Sequence, residues 1–141
     1  MQIQKLLLVA FLNIYATQVK AADFVVVVSA KSPVTSLSVA QVSDIFLGQM
    51  TSFPEGGEAI AIDQKPGSSI RDEFYLKTSS KSPSLMKAYW SKMLFTGRGQ
   101  PPKYLADSSA VRKLVAGNTS LIGYVDKTEI DASIKVVLIV Q

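Results

Sequence analysis

Gly67, Ser68 and Ser69, with Lys65 before them and Arg71 after, are residue types that can hold an oxyanion. They follow Ala59-Ile60-Ala61-Ile62-Asp63, which reads as a buried strand, and Pro66-Gly67 reads as a tight turn. A helix then opens at Ser68 or Ser69 and carries Ile70 and Phe74. Such a junction aims free backbone N–H groups, serine hydroxyls and the positive end of a helix dipole at one point. The chemistry on offer is hydrogen bonding to an anion, with Arg71 and Lys65 adding positive charge. A plainer account needs no ligand: Ser68 or Ser69 caps the helix, and Asp72 or Glu73 suits its first turn.

Other chemistries are closed off by composition. The chain contains no cysteine and no histidine. That excludes disulfides, thiolate nucleophiles, histidine general bases and the usual zinc ligand sets. Asp44, Asp63, Asp72 and Glu73 are present, but none stands in a recognisable catalytic pattern. No catalytic residue, metal site or cofactor is therefore assigned, and the expectation is a protein that is not an enzyme.

The elements around the turn must place it. Phe24-Val25-Val26-Val27-Val28 is an unbroken β-branched run, the mark of a strand buried on both faces. A small, polar loop from Ser29 to Ser36 follows. Ser38 and Gln41 form a capping-box pattern ahead of Val39, Val42, Ile45 and Phe46, and Gly48 is the expected stop. After Ala59–Asp63 and the second helix, Ser82-Pro83 marks the start of a third helix. Its Leu85, Met86, Tyr89, Trp90, Met93 and Leu94 read as a core stripe. Thr96–Pro102 reads as an irregular loop. Asp107 or Ser108 caps a fourth helix through Val111, Leu114 and Val115, and Ser120–Val125 and Ile134–Val140 are the closing strands.

This order predicts an α/β domain with a mixed, mostly parallel sheet flanked by helices. Ligands of open α/β sheets sit beyond the carboxyl ends of strands. The loops Ser29–Ser36 and Gln64–Ser69 both leave strands in that way, so both are expected at one mouth. Ser32 and Thr35 thereby join Gly67, Ser68, Ser69 and Arg71 as candidate contacts, ordinary loop polarity being the plainer account of the first two.

The opening residues read as a signal peptide: Lys5, the apolar run Leu6–Leu12, then Val19-Lys20-Ala21 with small residues at the −3 and −1 positions. Cleavage is expected between Ala21 and Ala22, dividing the chain into a leader, 1–21, and one domain, 22–141. The apolar run falls short of the roughly 20 residues that cross a bilayer. No other segment is long enough, so no stable membrane insertion is expected after cleavage. The whole chain carries 15 Lys and Arg against 11 Asp and Glu, and setting Lys5 and Lys20 aside leaves 13 against 11. That small excess is scattered and lacks interleaved aromatics, which argues against nucleic acid.

Pro33-Val34-Thr35-Ser36-Leu37-Ser38, then Val42-Ser43-Asp44-Ile45-Phe46-Leu47-Gly48, resembles the start of the second lobe of periplasmic phosphate-binding proteins. Gly67-Ser68-Ser69 before Phe74 resembles their phosphate loop, and Ile122-Gly123-Tyr124-Val125 resembles their late strand. Taken in order, these segments span residues 24–140 and look closest to short, exported relatives made of little more than that lobe. The resemblance implies a single lobe of the type II periplasmic binding-protein fold. It also implies phosphate or a similar oxyanion as ligand, a periplasmic location, and an ABC importer permease or another envelope protein as partner. The family's phosphate loop places an Arg and an Asp ahead of Ser-Gly-Thr. Here Gln64 and Pro66 hold those two positions, Ser69 and Ile70 fall at the Gly and Thr, and Ser68 alone carries across. The loop that grips the ligand from the other lobe has no counterpart before Phe24. Weak binding is therefore expected unless a second chain closes the site, since a half-hydrated anion gains less from each hydrogen bond. The alternative expectation is an interaction or assembly module of the envelope, self-association included, that kept the lobe and lost the ligand.

Overall fold

The computed structural model describes residues 22–141, together with Ile14. The expected leader, 1–21, thus lies outside the described residues apart from Ile14, and of the expected cleavage point only Ala22 is described. Five strands and four helices follow one another as β1 (Phe24–Ser29), α1 (Val39–Phe46), β2 (Ile60–Gln64), α2 (Ser69–Ser79), α3 (Pro83–Phe95), β3 (Lys103–Leu105), α4 (Ser108–Ala116), β4 (Leu121–Asp126) and β5 (Ile134–Ile139), with a single 3-10 turn at Lys127–Glu129.

The strands form one open sheet in the order β3-β2-β4-β1-β5. β2 runs parallel to both β3 and β4, whereas β1 runs antiparallel to β4 and β5. Four strands therefore point one way and β1 points against them. Strand β1 sits inside the sheet and is buried along its whole length, which accounts for its unbroken valines. Phe24, Val26 and Val28 face a core built with α1, α2 and α3, including Phe46, Phe74, Met86 and Trp90. Val25 and Val27 face the other side, where Val111 and Val115 of α4 cover Ile62 and Val125. One strand thus serves two cores.

Local signals start the helices where their chemistry requires. The Ser38 hydroxyl accepts from the Gln41 N–H and the Gln41 side chain accepts from the Ser38 N–H, a complete capping box. Ser82 accepts from the Leu85 N–H ahead of Pro83, and Asp107 accepts from the Ala110 N–H. Gly123 of β4 lies directly under α4, and a β-carbon there would meet Val111 at 2.6 Å. The missing side chain lets helix and sheet approach.

Candidate functional site

The turn between β2 and α2 is built by its residue types. The Ser68 N–H donates to the Lys65 carbonyl across Pro66-Gly67, and Gly67 has φ +91°. That is a type II turn, which takes proline at its second residue and a positive φ at its third. Ser68 occupies the N-cap position of α2, yet its hydroxyl makes no capping bond. Ser68 Oγ is instead buried without a hydrogen-bond partner, as is Asp72 Oδ1 one turn later. Ser69 is exposed at the first helical position. The first-turn N–H groups of α2 have no acceptor within the helix.

Ser68 and Ser69 line a depression of about 440 Å³ with Gln64, Asp107, Ser108, Asp126 and Glu129. Parallel pairing explains this company. β2 and β3 point the same way, so the helices that follow them, α2 and α4, begin side by side. The far wall is acidic, although each carboxylate is engaged. Asp107 caps α4, Asp126 accepts from the N–H and hydroxyl of Thr128, and Glu129 pairs with Arg112 at 2.9 Å. The Thr128 N–H, and then its hydroxyl, hold the Asp126 carboxyl below the usual carboxylate range.

Arg71 is committed elsewhere. Its Nε lies 3.4 Å from Asp63 Oδ2 and its guanidinium stands 5.0 Å from the centre of the Tyr75 ring. Arg71 and Gly67 line a separate apolar groove that contains neither Ser68 nor Ser69. Asp63, only 3% exposed, gathers four donors: Tyr124 OH at 2.5 Å, Tyr75 OH at 2.7 Å, the Gln64 N–H at 2.8 Å and Arg71. Burial first, and then the Asp63 charge, push both phenols well above their ordinary range. Both tyrosines are therefore neutral donors to a buried carboxylate.

Ser32 and Thr35 are not at this mouth. Phe24 pairs with Asp126 and Val28 with Ile122, so the end of β1 lies beside the start of β4. Because β1 is reversed, the Ser29–Ser36 loop leaves from the end of the sheet opposite Gln64–Ser69. Ser32 is buried and its hydroxyl accepts from the Val34 N–H, while Thr35 is exposed at that far end. The expected shared mouth is corrected on this point. Gln64 also differs from a ligand-facing side chain: it is 2% exposed and donates to Ser108 Oγ and the Tyr124 carbonyl. Sequence reasoning missed the second wall, Asp107, Ser108, Asp126 and Glu129. Recognising Lys103–Leu105 as a strand parallel to β2 would have found it.

The arrangement brings neutral donors, the Ser68 hydroxyl and the first-turn amides of α2, to one point. No family model matches the chain, and no curated protein matches it. Solved structures do. A protein of Clostridium perfringens, assigned as a phosphate ABC transporter substrate-binding protein and solved with bound phosphate, is 25% identical with a TM-score of 0.64; the match covers 83% of this chain and 44% of that one. An ABC-type phosphate transport receptor of Vibrio cholerae is 20% identical, also with a TM-score of 0.64, over 82% of this chain and 45% of its own. The chain thus spans less than half the length of these structures. Its mixed five-stranded sheet and four helices have the fold of one lobe of the phosphate ABC transporter substrate-binding proteins.

Proposed function

We propose that this chain is an exported solute-binding lobe that holds phosphate or a similar oxyanion, without covalent chemistry, at the start of α2. The observation that carries this reading is the Ser68 hydroxyl, buried and unpartnered beside the free N–H groups of a helix start. An oxyanion oxygen there would accept from that hydroxyl, from Ser69 and from the first-turn amides, and the helix dipole favours the charge. The carboxylates of Asp107, Asp126 and Glu129 across the depression oppose it, so affinity is weak. The fold relatives' assignments support an ABC importer permease as the partner, and the leader-like residues 1–21 support a periplasmic location. Arg71 remains part of the proposed set only through the field of a guanidinium already paired with Asp63.

Calorimetric titration with phosphate, sulfate and arsenate tests the site. Saturable heat is expected with at least one of them, and a ligand at 100 times its Kd should add about 2.7 kcal/mol of stability. Ser68→Ala is expected to weaken binding by about tenfold while leaving the melt nearly unchanged, since that hydroxyl caps nothing. No heat and no melting shift at millimolar anion would refute the proposal. The second reading, an envelope interaction module without ligand, is favoured by Gln64, which is turned inward at the position where the resemblance places an arginine.

A further inference from the structure

Among the described residues, a concavity larger than the depression at Ser68 lies elsewhere. Helix α3 leans on α2 and buries Met86 and Trp90, but between α3 and the β2–β3 edge it leaves a groove of about 730 Å³. Ile62, Met86, Trp90, Leu94, Pro102 and Leu105 make its walls apolar. Leu94 remains 53% exposed although it lines this groove. The volume lies within the range of about 300 to 1,000 Å³ typical of small-molecule sites, which pair apolar walls with a few polar groups.

Those polar groups are basic. Lys87 of α3 and Lys103 of β3 stand on opposite walls, both exposed and, among the described residues, without an ion pair. Arg71 also lines the groove but is paired with Asp63, the single carboxylate of the lining, which is buried and takes four donors, so the two lysines are the unpaired charges. Three other occupants fit poorly. A second copy would bring the same basic rim against this one. An added β-strand would find an edge of three residues preceded by Pro101 and Pro102, neither of which has an N–H. Inorganic phosphate has no use for apolar walls.

We propose that the groove binds a small amphiphilic carboxylate, its hydrocarbon body along α3 and its carboxylate at the lysine rim. The site is separate from the depression at Ser68 and Ser69 and shares with the proposed oxyanion set only the Gly67 turn and Arg71. Trp90 lines the groove and is the chain's sole tryptophan, so its emission reports occupancy.

The test is titration of the purified protein with decanoate and with decanol, below micelle-forming concentrations, followed by Trp90 emission and by calorimetry. Saturable one-to-one binding of decanoate is expected, with decanol weaker by about tenfold or more. Lys87→Glu and Lys103→Glu should each weaken decanoate by about fivefold to tenfold without changing the melt. Leu94→Asp, at a half-exposed position, should abolish binding. The proposal is overturned if decanol binds as well as decanoate, if neither charge reversal matters, or if no saturation occurs. It is equally overturned if Trp90 responds only to vesicles of anionic phospholipid, or to protein concentration alone with dimers in the ultracentrifuge. A silent phosphate titration would leave these results untouched.

Discussion

Replacing Tyr124 by Phe removes one hydroxyl from a buried carboxylate and keeps the ring. That ring is fully buried and stacks on Phe74, with centroids 3.9 Å apart and planes 8° from parallel, so its packing survives the change. Asp63 loses its closest donor and keeps Tyr75, the Gln64 N–H and Arg71. A hydrogen bond to a charged group contributes about 1.5 to 3 kcal/mol, and nothing refills the vacated position. For a domain of about 120 residues, an unfolding entropy of roughly 2.1 cal/mol/K per residue converts each kcal/mol into about 4 °C. Tyr124→Phe should therefore lower Tm by about 6 to 12 °C in a reversible melt followed by circular dichroism. The same change in an Asp63→Asn background should cost less, because the charge that strengthens the bond is gone. The resulting coupling should be on the order of 1 kcal/mol. If the two backgrounds show equal losses, or if Tyr124→Phe melts within about 2 °C of the parent, the carboxylate is not anchored by this hydroxyl and the reasoning fails.

Two further predictions concern one core each. In the fold Tyr75 and Tyr124 ionise well above the ordinary tyrosine value near 10, so above that pH the unfolded chain sheds protons that the folded chain keeps. Their contribution to stability should be constant below about pH 9 and be lost above about pH 10, approaching about 1.4 kcal/mol per pH unit for each tyrosine, measurable as urea midpoints at rising pH. The tyrosinate absorbance of Tyr75 and Tyr124 should appear together with unfolding; its appearance from these two residues in the folded state would contradict the structure. Gly123→Ala would drive a methyl group to 2.6 Å from Val111 Cγ1 and 3.3 Å from Val115 Cγ2, an overpacking cost of about 1 to 3 kcal/mol. Val111→Ala should recover part of that loss in the double variant, and failure to recover any would place the strain elsewhere.

Much of the fold was legible in local patterns. The Ser38–Gln41 capping box, the Ser82-Pro83 start and the Asp107 cap each open the helix they predict. The valine run of β1 and the apolar runs near 60, 121 and 134 are strands to within a residue or two. Of the α3 stripe, Met86 and Trp90 are core and Tyr89 and Met93 pack against it, but Leu85 and Leu94 stay half exposed. Strand direction was not legible, because apolar runs carry no sign; only pairing with Leu121–Asp126 reveals that β1 is reversed, which moves Ser32 and Thr35 to the far end. β3 escaped notice for a similar reason. Three residues after a Pro-Pro pair show no period, and their extended form comes from lying beside β2. Asp63 read as a spare carboxylate at the end of a strand. Its partners Tyr75 and Tyr124 lie 12 and 61 residues away, beyond the reach of any local spacing.

The reversed inner strand also fixes an order of events. β1 comes first among the described strands, yet its only pairing partners are β4 and β5, roughly a hundred residues later. As the chain emerges from a ribosome, Val25 to Val28 therefore have no strand partner until β4 and β5 have been synthesised. A charge-free β-branched segment waiting that long is prone to stick to its own kind. Slow, concentration-sensitive refolding is the behaviour expected from where this strand sits, whatever the finished protein binds.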